Sequence, residues 1–151
     1  MPTTPNKVAV QGCTCAKLRR LTRRVTAVYD RVMAPMGMTV TQYSLLSQLR
    51  RLDGQSLSQI AAQLDMERGS LTRTLKPLLD AAYVEVRGST TDARARCVHL
   101  LPAGRAARDR MQAHWLTAQQ QINALLGEAE TARPHDWIDD HLARFRPAED
   151  R

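Results

Sequence analysis

The chain has 151 residues, 43% of them hydrophobic and 25% charged, with a formal net charge of +7 at pH 7. That length supports one modest domain able to bury a core without disulfides or a structural metal. Three cysteines are an odd number for a disulfide framework, no apolar leader precedes the first charge cluster, and no run of about 18 apolar residues occurs, so a soluble, reducing, cytoplasmic setting without a membrane partner is expected.

Charge is unevenly placed. Residues 1–51 hold nine Lys or Arg against one acid, residues 52–111 nine against seven, and residues 112–151 four against seven. A basic excess in the first third suits a polyanionic partner, although a solvated basic face has the same composition.

The stretch GCTCAKLRRLTRRV, Gly12–Val25, opens the first element. Leu18, Leu21, Val25, Val28 and Val32 recur at spacings of three and four and predict a long helix ending near Met33. Pro35 and Gly37 then punctuate the chain. Thr39 or Thr41 is placed to cap a second helix with apolar positions Tyr43, Leu45, Leu46, Leu49 and Leu52, which stops at Asp53–Gly54. Ser56 followed by Gln59 has capping-box spacing, and Leu57, Ile60, Ala61 and Leu64 give a short third helix its buried face.

After the polar break DMERG, Leu71, Leu75, Leu78 and Leu79 mark a fourth helix whose other face carries Arg68, Ser70, Thr72, Arg73, Thr74 and Lys76. Two helices on a tight turn, the second exposing short hydrogen-bonding and cationic groups, suit a DNA major groove, which admits a helix and presents base edges within reach. An ordinary amphipathic hairpin fits the same pattern.

In YVEVRGSTTDARARCVHLL the period changes from helical to alternating, which predicts a two-stranded hairpin with Cys97 as a small buried hydrophobe. Its tip, Gly88–Arg96, sets Arg94 and Arg96 on a flexible turn of small residues, suited to a minor groove or to phosphate. A helix-turn-helix followed by a basic hairpin is a winged helix, so the expected fold is mainly α with a small β-wing. Met111, Trp115, Ala118, Ile122 and Leu125 predict a fifth helix, and Trp137, Ile138, His141, Leu142 and Phe145 a sixth. This is more apolar surface than a winged-helix core buries, so the first, fifth and sixth helices are expected to pack against a second copy.

Enzyme chemistry finds little support. In HDWIDDH, His135 and Asp139 lie one turn apart beside Asp140 and His141, but no further helix-spaced ligand joins them, and a solvated acidic face is the plainer account. Nucleophile elbow, phosphate-binding glycine loop and HExxH are all missing, and His99 and His114 are isolated. No enzyme activity, cofactor or metal is expected. Cys13 and Cys15 offer two thiolates where a closed zinc site needs four ligands. Cys15 does stand at a helix start near Lys17, Arg19 and Arg20, which favours the reactive thiolate.

The stretches DARARCVHLLPAG, GSLTRTLKPLL and LRRLTRRVTAVYDRVMAPMGMTVTQYSLL together resemble the MarR-type winged-helix transcriptional regulators. That family's wing signature reads D-x-R, five residues, L-T-x-x-G. Asp92, Arg94, Leu100 and Gly104 fall on it, and the likeness spans roughly residues 13–145. It implies a single MarR-like domain over 1–151, with a winged-helix DNA-binding lobe at 38–101 and a helical dimerisation lobe from 13–37 and 102–147. It further implies a homodimeric repressor on a pseudo-palindromic operator in double-stranded DNA, with half-sites about 10 bp apart. Arg94 would enter the minor groove, braced by Asp92 and flanked by Arg96, while Arg68, Ser70, Thr72, Arg73 and Lys76 face the major groove. Asp92 and Arg94 could equally form a local ion pair that holds the turn.

The same resemblance implies release by a small aromatic or anionic effector, with Arg19, Arg23, Tyr43 and Trp115 as candidate lining; core packing and solvation account for these four as well. In the family's peroxide-sensing branch a reactive cysteine opens the first helix with a tyrosine fourteen residues later, a spacing that Cys15 and Tyr29 reproduce with Cys13 as neighbour. Arg19 replaces another tyrosine of that branch, and the late helices hold no resolving cysteine. Three further departures are Leu101 in place of a capping threonine, Ala81 and Ala82 where a glycine commonly ends the recognition helix, and Pro77 inside that helix, expected to bend or loosen it beyond Arg73. A basic nucleic-acid-binding protein without sequence preference, or a small metalloenzyme, would be the alternatives.

Overall fold

A computed structural model describes residues 12–92, 94–127 and 132–145. The elements are α1 (Thr14–Met33), a 3-10 turn (Ala34–Met36), α2 (Val40–Leu52), α3 (Leu57–Gln63), α4 (Arg68–Asp80), β1 (Val84–Gly88), β2 (Arg96–Leu100), α5 (Pro102–Leu126) and α6 (Ala132–Arg144).

Local chemistry sets most of these boundaries. Thr39 rather than Thr41 caps α2: its hydroxyl accepts the Gln42 amide at 3.3 Å while the Gln42 side chain accepts the Thr39 amide at 3.0 Å. Ser56 and Gln59 close the same reciprocal pair at the start of α3, at 3.2 and 2.9 Å. Each box satisfies two amide groups that a helix start would otherwise leave without acceptors. The Asp30 carboxylate accepts the Val40 amide at 2.7 Å and so ties α1 to the head of α2. At the end of α4, Ala82 takes the left-handed conformation (φ 53°); the Tyr83 amide donates to the Leu78 carbonyl (2.9 Å) and the Ala82 amide to that of Leu79 (3.0 Å). This is a Schellman closure made without its usual glycine. Pro77 does not end the helix early. α4 continues to Asp80, because a proline this close to the C-terminus removes one donor and leaves the preceding turns intact. Leu101 stands at the α5 N-cap without a side-chain bond, and Pro102 starts the first turn.

β1 and β2 pair antiparallel, with Val84 opposite Leu100, Val86 opposite Val98 and Gly88 opposite Arg96. Val84, Val98 and Leu100 are buried. Cys97 is half-exposed, contrary to expectation, because the two-residue period that turns Val98 and Leu100 inward turns Cys97 and His99 away. β2 is bonded on its other edge too: the Gly54 amide donates to the Val98 carbonyl (2.8 Å) and the Val98 amide to that of Gln55 (3.0 Å).

The core joins Leu46, Leu49 and Leu52 of α2, Ile60 of α3, Leu71, Leu75 and Leu78 of α4, the inner wing residues, and Ala107 and Met111 of α5. α1 and α2 both pack on α5. The predicted stripes of α1, α5 and α6 are only partly covered: Leu21 is 54% exposed, Leu125 73%, Trp137 54% and Phe145 83%. Among the described residues no helix is long and apolar enough to cross a membrane.

Candidate nucleic-acid interface

α4 buries Leu71, Leu75 and Leu78 and turns Arg68, Thr72, Arg73 and Lys76 outward. Its polar groups are already engaged locally. The Thr72 hydroxyl donates to the Arg68 carbonyl (2.9 Å), the Thr74 hydroxyl to the Ser70 carbonyl (3.0 Å) and Arg73 Nη2 to Ser70 Oγ (2.9 Å). Lys76 Nζ lies 2.9 Å from Asp80, an acid on the same face. A one-turn pair this exposed is weakly held and opens readily for a stronger anion.

The wing tip is organised by short side chains. Ser89 Oγ accepts the amides of Thr91 and Asp92 (3.2 Å each), the Ser89 amide donates to the Ala95 carbonyl (2.9 Å), and Asp92 Oδ1 accepts the Arg94 amide at 3.0 Å. Asp92 therefore braces the Arg94 backbone, and no ion pair joins their side chains among the described residues, which leaves the exposed Arg94 guanidinium to point elsewhere. An aspartate bonding the amide two residues on is the usual Asx turn.

Two clefts flank α4. One, of about 300 Å³, is lined by Ser56, Ser58, Arg68, Asp92, Arg94 and Arg96, and so brings the first residue of α4, the wing arginines and the head of α3 together. The other, of about 360 Å³, lies between the head of α2 (Thr39, Thr41, Gln42) and Ser70, Arg73, Thr74 and Pro77. Ser58, Thr39 and Gln42 were not singled out from the sequence as site residues; the capping boxes were the available signal, since they mark helix starts, where free amides and the positive dipole end collect.

The four candidate effector residues are not together. Arg19 and Arg23 line an apolar groove of about 630 Å³ with Thr14, Cys15, Leu18, Thr22 and Phe145, on the part of α1 that is exposed throughout. Tyr43 is buried and stacks on Trp115, with ring centres 6.0 Å apart and planes 25° from parallel. The cation over that pair is Arg108, 5.6 Å from the Tyr43 ring centre, which also donates to Ser47 Oγ (3.2 Å) and Gln112 Oε1 (2.8 Å). Arg108 and Trp115 are two turns apart on α5 and share a face, so the aromatic pair already has its cation.

Cys13 is the N-cap residue of α1 and Cys15 lies in its first turn, both exposed. Tyr29 is fourteen residues on, about 21 Å along the helix axis. It donates to Gln119, and burial pushes its hydroxyl pKa up from the ordinary phenol value. Cys15 and Tyr29 thus do not meet within one chain. His135, Asp139 and Asp140 are exposed on α6, while His141 is half-buried, bonded through Nδ1 to the Trp137 carbonyl and stacked on that indole; no group of three metal-ligating side chains forms among the described residues.

Comparison with known proteins completes the picture. The MarR family model matches residues 38–95, the stretch from the head of α2 to the wing tip. A protein of Thauera aromatica described as a regulatory protein for transcription of the hcr operon is 29% identical over 94 residues. The match covers 62% of this chain and 57% of that protein, so the chain aligns with little more than half of that relative's length. The M. tuberculosis transcriptional regulator MosR, solved in complex with DNA, matches with a TM-score of 0.74 at 29% identity, over 90% of this chain and 100% of that one. The repressor CouR bound to a 23-mer DNA duplex (TM-score 0.76, 23% identity, 86% and 92% covered) and apo MarR from E. coli (0.69, 20%, 87% and 98%) share the fold. Members of this family are transcriptional regulators and not enzymes. The chain thus resembles the MarR family of winged helix-turn-helix transcriptional regulators: the family model lies on its helix-turn-helix and wing, residues 38–95, and the fold of MosR extends over nine-tenths of its length.

Proposed function

We propose that the protein is a cytoplasmic homodimeric repressor that holds a pseudo-palindromic operator through α4 and the wing and releases it when a small aromatic or anionic ligand binds. Residues 38–101 are its DNA-reading lobe, and residues 13–37 with 102–147 its dimerisation lobe. The observation that carries this reading is the convergence of Arg68, Arg94 and Arg96 on one cleft beside the polar face of α4. Arginines there reach phosphate or minor-groove edges while Ser70, Thr72, Arg73 and Lys76 approach base edges in the major groove. Arg94→Ala is expected to weaken operator binding by about tenfold or more while leaving the fold and assembly intact. Equal affinity at physiological salt would exclude the wing from the interface. A palindrome recurring among genomic fragments bound by the protein separates this reading from sequence-blind binding.

For the effector, the groove beside α1 offers two cations, Arg19 and Arg23, against Leu18 and Phe145, which suits an aromatic carboxylate. Thiol control is the second reading, favoured by the exposure of Cys15 in the first helical turn. The two are separated by Arg19→Gln with Arg23→Gln, which should abolish release by aromatic carboxylates, and by Cys15→Ser, which should abolish release by hydroperoxide only if the thiol is the sensor.

A further inference from the structure

β2 carries Arg96, follows Arg94 by two residues, and runs directly into α5. Its outer edge is held by the turn between α2 and α3, where Gly54 takes a left-handed φ of 81° so that its amide meets the Val98 carbonyl. Asp53, the last residue before that turn, adds a two-pronged contact. Its Oδ1 accepts the Leu100 amide at 2.9 Å, and its Oδ2 accepts Arg105 Nη2 at 3.0 Å. Leu100 is the last residue of the wing and Arg105 lies in the first turn of α5, so one carboxylate fixes the end of α2 to the strand and helix on either side of Leu101. His99 Nδ1 stands 3.8 Å from the same carboxylate. From the sequence, Asp53–Gly54 served only to end a helix.

We infer that Asp53 is a positioning residue for the wing: it sets the angle at which Arg94 and Arg96 are presented beside α4. The inference rests on the proposed contact of Arg94 with DNA. A strand edge accepted by a charged carboxylate is held more firmly than one bonded to water, and without Asp53 the wing keeps only the Gly54 and Gln55 bonds on that edge. The wing would then pivot about Val98, displacing a tip that gains from arriving pre-placed.

The test is a double-mutant cycle on operator binding with the wild type, Asp53→Ala, Arg94→Ala and the double variant, each measured well below its unfolding transition. Asp53→Ala should weaken binding about tenfold, the scale of one lost charge-assisted hydrogen bond. If Asp53 works by placing the wing, Arg94→Ala costs much less in the Asp53→Ala background, whereas a residue that only supports the fold gives losses that multiply independently. Faster hydrogen exchange at the Leu100 and Val98 amides, with α4 still protected, is the accompanying signature. Wild-type affinity in Asp53→Ala, or independent losses, overturns the inference. If Arg94→Ala alone has no effect, the wing contact itself fails, a different result. Asp53→Asn, which keeps an oxygen for the Leu100 amide but not the charge for Arg105, replaces alanine if that variant does not fold.

Discussion

Gly104 has no room for a side chain. A Cβ built there collides with the Tyr83 carbonyl oxygen and comes within 2.9 Å of Leu100 Cδ1, because the first turn of α5 is pressed against the chain entering β1. The obstacle is mostly backbone, so Gly104→Ala should destabilise the fold by about 3 kcal/mol, read as a fall in melting temperature with the helical spectrum otherwise unchanged. A loss of only about 0.5 kcal/mol or less would mean that α5 is free to shift. Ala82 presents the opposite case: at φ 53° it carries a Cβ where none is favoured. Ala82→Gly should stabilise the protein by about 1 kcal/mol in denaturant unfolding.

The elements were legible wherever the signal is local. The Ser56–Gln59 capping box, the polar face of α4 and the hairpin follow from residues three or four apart, or from strict alternation, whereas at α2 the sequence left Thr39 and Thr41 as alternative caps. What failed depends on partners distant in sequence. Cys97 was expected inside, since alternation gives a period and leaves open which of two adjacent apolar positions faces inward. The candidate effector set was split because helical spacing says nothing of how far α1 projects beyond α2, and the cation that does sit on Tyr43, Arg108, was hidden among nearby arginines of α5. The role of Asp53 was likewise invisible, since its partners are 47 and 52 residues away.

At the scale of the whole molecule, exposed apolar faces and opposite charges coincide. α1 exposes Leu18 and Leu21 among Lys17, Arg19, Arg20, Arg23 and Arg24, while α6 exposes Trp137, Ile138 and Leu142 among Asp136, Asp139 and Asp140. A second copy would cover both faces and neutralise both charges. Leu21→Glu together with Ile138→Glu should therefore give monomers in light scattering, with full-operator affinity reduced toward that for a half-site; a dimer that survives would place the interface elsewhere. Intact dimers touching six or more phosphates should lose about a thousandfold in affinity between 50 and 200 mM salt.

Both capping boxes complete themselves with glutamine, Gln42 and Gln59, where a glutamate would serve as well. An amide does not ionise, so neither reciprocal pair changes with pH. At α3 the box thus adds no negative charge to the helix head, close to Arg68, whereas at α2, beside Arg73, the Asp30 carboxylate stands on the Val40 amide. Of the two helix heads, that of α3 is thus stapled without a carboxylate, while that of α2 takes its one carboxylate from α1.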